Sequence, residues 1–327
     1  MGEHNLWHYA ALMKRMREAI VAGRWAEEYR VLRDLLTPPS RLPRSTGVVD
    51  GEFEVVSIRS GGRAVRHRGH GEVMHPVGPW EESNRLYVDQ LELEKRLAIH
   101  HEEPLRILDV GLGAGANAIA ALTRAAGMGE RRARAVEIVS LEHDLAPLRL
   151  AAADPEGFPW LTPFAHAAQG LLEEGRWEAR SLEWRLLLGD AATSIREIDG
   201  QFDLVFFDPF SPEANPALWT VEFLRAVRSV TRYDGALLAT YSSATPTRVS
   251  MLLAGFFVGQ GWSTGTRTET TIAASRAGVL PNTLGQRWLE RWQRSTARAP
   301  HGLTELTEEH EQAILTHPQF ATGLAPA

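Results

Sequence analysis

The sequence predicts an α/β protein built on one mostly parallel sheet, and three observations predict it. Short apolar runs near residues 106–110, 136–142, 184–188, 202–208 and 235–241 read as buried strands, with helical stretches between them. Strand, helix and strand in alternation makes neighbouring strands parallel, since a parallel pair needs a long crossover. The first run opens into a glycine-rich turn, and several of the runs end on a carboxylate.

In chain order, residues 5–36 alternate apolar and aromatic positions with charges, which predicts one or two helices as an N-terminal extension. Thr37 to Gly47, rich in proline, breaks them and reads as a linker. Glu52 to Arg68 alternates around Gly61-Gly62 and predicts a β-hairpin, a lid or brace before the main domain. Trp80 to Ile99 reads as helix, and the five strands follow. After Pro281 the chain turns to Trp and Arg, then to an acidic stretch around Glu305 to Glu311, with a frayed end. The expected divisions are 1–47, a principal domain over 48–280, and a partly helical C-terminal segment over 281–327.

Leu105 to Asn117 reads as strand, tight turn and helix start, with Gly111, Gly113 and Gly115 in the turn. Glycine accepts positive φ, and it lets backbone N–H groups approach a ligand that a side chain would block. A single Gly-x-Gly-x-Gly is weak evidence for a nucleotide site. Asp109 before the turn and Glu142 at the end of the next strand sharpen it, since an acid at that spacing suits ribose hydroxyls.

The third strand ends in Gly189-Asp190-Ala191, and the fourth drives Phe202 to Phe207 into Asp208-Pro209-Phe210-Ser211-Pro212. Acids therefore stand at four strand tips: Asp109, Glu142, Asp190 and Asp208. Ligands bind at the carboxyl ends of such strands, which nominates Asp208 for chemistry. An Asp that caps the turn before a proline is an equally ordinary use of the same residues. So many carboxylates would repel a diphosphate and attract a cation. S-adenosylmethionine carries a sulfonium, an ammonium and a ribose diol without phosphate, so the rim favours it over NAD.

The residues Gly189-Asp190-Ala191, Phe207 to Pro212 with Asn215-Pro216 and Leu218-Trp219-Thr220, and Ala239 to Ala244 together resemble a known family. It is the methyltransferase domain of the bifunctional tRNA 5-methylaminomethyl-2-thiouridine biosynthesis proteins, with its stand-alone relatives. Trp80-Glu81-Glu82-Ser83 is similar to the family's Glu-Glu-Ser/Thr, and the resemblance spans roughly Val65 to Ala274. Pro209 stands where the bifunctional enzymes usually have glycine, and Glu213-Ala214 replaces a pair that often holds lysine, so the cofactor half matches better than the substrate half.

The resemblance implies a class I, Rossmann-like methyltransferase fold, closed by an antiparallel pair from Phe256 to Val258 and Thr268 to Ala273. It implies S-adenosylmethionine as cofactor, held by Asp109, Gly111, Gly113, Asn117, Glu142, Asp190 and Ala191, and it alone brings Glu82 to the methionine end. It implies tRNA as partner and an aminomethyl group on a wobble uridine as acceptor. Asp208 would orient the amine and take its proton. Phe210, Trp219 and Tyr241 are expected at the substrate, with Trp80 a further stacking candidate, although each serves as well in a core. The chain leaves too few residues for the bifunctional proteins' oxidase domain, so the expectation is methylation of an amine already exposed.

Composition bounds the alternatives. The chain has 327 residues, 44% of them hydrophobic and 23% charged, which can bury one large core. No run reaches the ~18 uninterrupted apolar residues of a membrane span. The start lacks a signal-peptide pattern, which makes the cytoplasm the expected compartment. The absence of cysteine excludes disulfides, thiolate metal sites and cysteine nucleophiles, including a thiol attack on a pyrimidine. The twelve histidines, among them His67, His70, His75 and the pair His100-His101, show no metal-site spacing, and no metal is expected.

A net charge of -6 means that RNA contact needs a local basic patch. Candidates are Lys14, Arg15 and Arg17, then Arg63, Arg66 and Arg68, then Arg287, Arg291, Arg294 and Arg298 along one helix beside Trp288 and Trp292. A solvated helix face explains the last row as well. Polyamine aminopropyltransferases would suit the same acidic rim, although their usual pair of aspartates is not evident here. A DNA adenine methyltransferase would want an aromatic residue where Ser211 stands. A non-catalytic cofactor-binding module would act through its terminal extensions, whereas an enzyme would lose turnover and largely keep cofactor binding in Asp208→Ala.

Overall fold

The computed structural model describes residues 44–58, 62–264 and 268–321. The expected N-terminal helices, with Lys14, Arg15 and Arg17, lie outside these residues. From Ser45 onward the chain clusters as one compact unit.

Eleven strands form two sheets among the described residues. The smaller sheet has three strands in the order β1 (Arg44–Asp50), β2 (Phe53–Ser57) and β3 (Arg63–His67). The predicted hairpin is the antiparallel β2–β3 pair, with Val55 opposite Val65. Residues 44–47, expected as linker, run as strand β1 instead.

The larger sheet takes β4 (Leu105–Val110), β5 (Val136–Glu142), β6 (Arg176–Ala179), β7 (Leu182–Leu188), β8 (Leu204–Phe207), β9 (Leu237–Thr240), β10 (Phe257–Gly261) and β11 (Thr270–Ala274). Their order is β10-β11-β9-β8-β4-β5-β7-β6. The five central strands are parallel, as the alternation with helices requires. β11 runs antiparallel to both β9 and β10, which is the closing pair expected from the resemblance. β6 was not foreseen: it pairs antiparallel with β7 at the other edge, and its half-exposed Arg-Trp-Glu-Ala lacks a buried run.

Successive residues of the central strands feed opposite faces of the sheet. Ile107, Ile138 and Phe206 belong to one core, while Leu108, Val139, Val205 and Phe207 belong to a second. Both faces are buried, so these strands read as continuous apolar runs without alternation. The first core is covered by α1 (Pro79–Ser83), α2 (Leu93–Ala98), α3 (Ala116–Gly127), α4 (Ala146–Ala152) and α5 (Ala165–Glu174) together with a π-helical segment over Asn84–Asp89. Beyond it lie the short α6 (Ala191–Ser194), α7 (Val221–Ser229) and α8 (Thr245–Leu253), and the C-terminal α9 (Gln286–Gln293) and α10 (Glu308–Leu315). Trp288, Leu289, Trp292 and Ile314 complete the second core, so this C-terminal segment is part of the globule.

The arginine row changes accordingly. α9 ends at Gln293, so Arg287 and Arg291 share it while Arg294 closes it and Arg298 lies beyond, paired with Glu311. In the hairpin, Arg63 pairs with Asp154, and Arg66 pairs with Glu54. No helix among the described residues is long and apolar enough to cross a membrane.

Candidate active site

The chain leaves β4 toward β5 and β7 on one side and returns on the other as β8. The strand order therefore reverses between β4 and β8, and ligands of open α/β sheets bind at the carboxyl ends of strands at such a point. Gly111 follows β4 there, and Asp208 follows β8.

These two turns touch. Gly111 has a φ of 89°, and a Cβ on it would lie 2.7 Å from the Asp208 carbonyl oxygen. Glycine at 111 is required first by this backbone packing, before any question of ligand access. At Gly113, φ is 54° and a Cβ would meet Met74 Sδ at 3.2 Å. The glycine turn is thus enclosed between the Asp208 turn and the loop that follows the hairpin.

Asp208 is nearly buried, with 12% of its side chain exposed. Asn117 Nδ2, in the first turn of α3, donates to Asp208 Oδ2 at 2.8 Å, while Asn117 Oδ1 accepts from Ser83 Oγ at 2.6 Å. His75 Nε2 stands 3.3 Å from the same Oδ2, and His75 Nδ1 stands 3.7 Å from Glu82 Oε2. Burial pushes the Asp208 pKa up. His75 and Asn117 pull it down, and the charge of Glu82 adds to the upward push. The buried Tyr87 phenol is held well above its ordinary pKa, by burial first and then by the charge of Asp208.

Glu142 ends β5 as expected. Its Oε2 accepts from the Gly113 N–H at 2.8 Å, and its Oε1 accepts from the His143 and Asp144 N–H groups at 2.7 and 3.1 Å. Burial raises its pKa, and these backbone donors oppose the rise. An ionised carboxylate has about four acceptor sites and these three N–H groups fill three, so capacity remains for one ribose hydroxyl. Asp190 caps α6 from the tip of β7, accepting from the Ala192 N–H and from Thr193 Oγ1, each at 3.2 Å, and it is exposed. Ala191 begins that helix, half-buried.

Asp109 departs from its expected role. It is fully buried, so it offers no surface to a cofactor. Its Oδ2 accepts from Ser140 Oγ at 2.7 Å, and Ser140 in turn accepts from Trp184 Nε1 at 2.9 Å. Burial pushes its pKa up to about 8, so at neutral pH it is mostly a protonated strut between strands.

The aromatic residues, each open to a site or a core role, divide. Trp219 has no exposed face on which a base could stack; its Nε1 donates to the Phe210 carbonyl at 2.8 Å, and its ring meets Phe207 and Tyr241 edge-on. Tyr241 gives its hydroxyl to the Pro209 carbonyl at 3.1 Å. Both therefore hold the turn after Asp208 from beneath. Phe210, half-buried, packs among Phe53, His67 and His70 of the hairpin and its loop. Trp80 lies parallel to Trp160 with 6.5 Å between ring centroids.

Four site residues were not singled out for this role in the sequence: His75, Ser83, Tyr87 and Glu72. Glu72 accepts from both the Ser211 N–H, at 3.0 Å, and Ser211 Oγ, which joins the hairpin loop to the Asp208 turn. His75 has a φ of 49°, a left-handed conformation rare outside glycine, which aims it inward. His75-Pro76-Val77-Gly78, two residues before Glu81-Glu82-Ser83, was the available signal.

The site thus offers carboxylates at strand tips, offset by backbone N–H groups, an asparagine and a histidine. That donor set fits a cationic ligand with a diol, as S-adenosylmethionine is, better than a diphosphate.

The comparisons agree. A family model described as S-adenosyl-L-methionine-dependent methyltransferase matches residues 164–276. The chain is 34% identical over 161 residues to the tRNA 5-methylaminomethyl-2-thiouridine biosynthesis bifunctional protein MnmC of Paracidovorax citrulli, covering 47% of this chain and 25% of that protein. An uncharacterized protein of Methanocaldococcus jannaschii is 33% identical over 101 residues, covering 31% of this chain and 28% of that one. The chain spans about a quarter to a third of the length of the curated relatives it matches. Among solved structures, MNMC2 from Aquifex aeolicus aligns with a TM-score of 0.62 at 26% identity, over 96% of this chain and 97% of that one. This protein is therefore an S-adenosylmethionine-dependent methyltransferase of Rossmann-like class I fold, related to the methyltransferase part of the MnmC bifunctional tRNA-modification proteins.

Proposed function

We propose that the protein N-methylates an aminomethyl group on a tRNA wobble uridine. The observation that carries this reading is the Asp208 carboxylate, nearly buried at the switch point, bonded to Asn117 and beside His75. S-adenosylmethionine, when bound, supplies a methyl group already activated by its sulfonium. The protein's work is to bring a neutral nucleophile into line with that methyl and to exclude water. An alkylammonium has no lone pair, so an amine acceptor must first lose a proton. A carboxylate whose pKa is raised by burial is a better-matched acceptor than an ordinary aspartate.

In this reading Asp208 orients the amine, while Gly111, Gly113, Asn117, Glu142, Asp190, Ala191 and Glu82 serve the cofactor side. Phe210 is the aromatic of the turn that retains exposure, and it takes the substrate side. We assign the transferase domain to the compact unit from Ser45 onward, which extends the sequence-based limits of 48–280 by the start of β1 and by the core-forming segment after Pro281, with the residues before it as an extension. Similarity to the MnmC tRNA 5-methylaminomethyl-2-thiouridine biosynthesis proteins supports a tRNA acceptor, and a cytoplasmic setting goes with it.

The test uses methyl-labelled S-adenosylmethionine and bulk tRNA from cells lacking this gene, followed by digestion and mass spectrometry of labelled nucleosides. Label on an aminomethyluridine is the expected result. Label absent from RNA but transferred to a polyamine or small amine would move the acceptor to that class.

A further inference from the structure

The loop between the hairpin and α1 carries His75 into the carboxylate cluster, and methyl transfer by itself does not require a histidine there. We propose that His75 is a proton-relay residue acting through Asp208: it withdraws from that carboxylate the proton that the acceptor amine must lose, and passes it to solvent. The inference rests on the amine-methylation reading above.

Three observations carry it. His75 Nε2 stands 3.3 Å from Asp208 Oδ2, a separation that the closing of a site around substrate can shorten to a full hydrogen bond. His75 Nδ1 stands 3.7 Å from Glu82 Oε2, so an imidazolium formed here lies between two carboxylates. The side chain is 13% exposed, which leaves a route to water that the buried Asn117 and Tyr87 do not have. Holding His75 at a φ of 49° carries a strain of order 1 kcal/mol, which a loop without a task would shed. The titratable groups facing the ring are Glu82 from α1, Asp208 from the turn after β8 and, more distantly, Asp109 on β4; Tyr87 from the π-helical segment lies against Asp208.

The chemistry balances with one proton. The ammonium gives a proton to Asp208, which gives it to Nε2, and the ring releases a proton to water. The free amine's lone pair then forms the N–C bond as the C–S bond breaks, and that bond's electron pair stays on sulfur, leaving a neutral thioether and a protonated secondary amine. Without the relay, a buried Asp208 would keep the proton it has taken and be unable to accept the next.

The test compares wild type, His75→Gln and His75→Ala in two arms. In methyl transfer to the undermodified tRNA, kcat at pH 7 should fall roughly a hundredfold, within the range of general acid–base effects. The deficit should shrink as pH rises toward the amine's own pKa, imidazole should restore part of the alanine variant's rate, and the S-adenosylmethionine Kd should stay within a few-fold. In the second arm, NMR titration of His75 in the ligand-free protein should show its pKa falling in Asp208→Asn, because the neighbouring anion is gone. A glutamine variant with wild-type kcat and pH profile would overturn the relay, as would a His75 titration indifferent to Asp208→Asn. A wild type that labels no tRNA would instead defeat the substrate reading, and the NMR arm would still decide the coupling.

Discussion

Asn117 Nδ2 donates to Asp208 Oδ2 across 2.8 Å, so the helix that follows the glycine turn also fixes the acid that ends β8. The glycine turn and the Asp208 carboxylate are thereby one mechanical piece. Asn117→Ala should remove the 2.8 Å donor to Asp208 Oδ2 and strand Ser83 Oγ in a buried position. We expect kcat to fall roughly ten- to a hundredfold, with cofactor Kd changed less, since a misplacement of about 1 Å near the chemistry has that effect. Asp208→Asn should abolish turnover while cofactor binding survives. Steady-state kinetics beside calorimetric binding separates the two, and equal losses in both would count against the assignment of Asp208 to the acceptor.

Gly111→Ala tests the contact between the two turns. The added Cβ would lie 2.7 Å from the Asp208 carbonyl oxygen, on a residue whose φ is 89°. Positive φ at a non-glycine residue costs about 1–3 kcal/mol, and the clash adds to it. Denaturant unfolding should show a loss at least that large, together with lost activity. Gly127→Ala, at the end of α3 with nothing within 4 Å, is the comparison, and should be neutral or slightly stabilising.

The strand tips were legible in the sequence because a parallel strand buried on both faces is mostly apolar: Leu204 to Phe207 is wholly so, and Val136 to Leu141 departs only at Glu137 and Ser140. The acids that end those runs were legible for the same reason. What each acid does was less so: Asp109 and Asp208 both end apolar runs, yet one is sealed against Ser140 and the other faces His75. Both carboxyls lie on the face that Phe206 and Tyr87 share, so the difference is one of depth: Asp109 sits inside β4, whereas Asp208 lies past the end of β8, and tertiary packing decides what covers each. Trp219 misled because its segment resembles a site motif, and it does shape the site, but from below the turn. His75 stands in a readable local pattern, but the left-handed φ that aims it inward is set by tertiary contacts that the pattern does not encode.

Asp109 sets a pH dependence of stability. Its folded pKa is about 8, pushed up mainly by burial, against roughly 3.9 for an aspartate in an unfolded chain. Between those values the folded state holds a proton that the unfolded state lacks. Its contribution is therefore fully present below about pH 4 and is lost progressively as pH rises to about 8, at up to about 1.4 kcal/mol per pH unit. Asp109→Asn keeps the size, can accept from Ser140 and cannot ionise. Relative to wild type, the variant should gain stability steadily from pH 5 to pH 8, as urea unfolding would show. A constant offset between the two across that range would mean that Asp109 is ionised in the folded protein.

The Glu72–Ser211 contact yields a prediction about the hairpin. Glu72 takes both the backbone N–H and the hydroxyl of Ser211, and Phe210 beside it packs on His70 and Phe53, so the three-stranded sheet is fastened to the turn that begins at Asp208. Charge-assisted bonds of this kind are about twice as strong as neutral ones, and this one is only half-buried. Ser211→Ala removes one of the two bonds and should weaken the fastening by about 1 kcal/mol. Glu72→Ala removes both and should weaken it further. Global stability need change little, because the eight-stranded sheet keeps its own cores. Amide hydrogen exchange should instead quicken across β2 and β3 in the order wild type, Ser211→Ala, Glu72→Ala. If His75 depends on that fastening for its place beside Asp208, kcat should fall in the same order while cofactor affinity holds. Faster exchange with unchanged kcat would show that the loop keeps His75 in place by its contacts with Glu82 and the glycine turn alone.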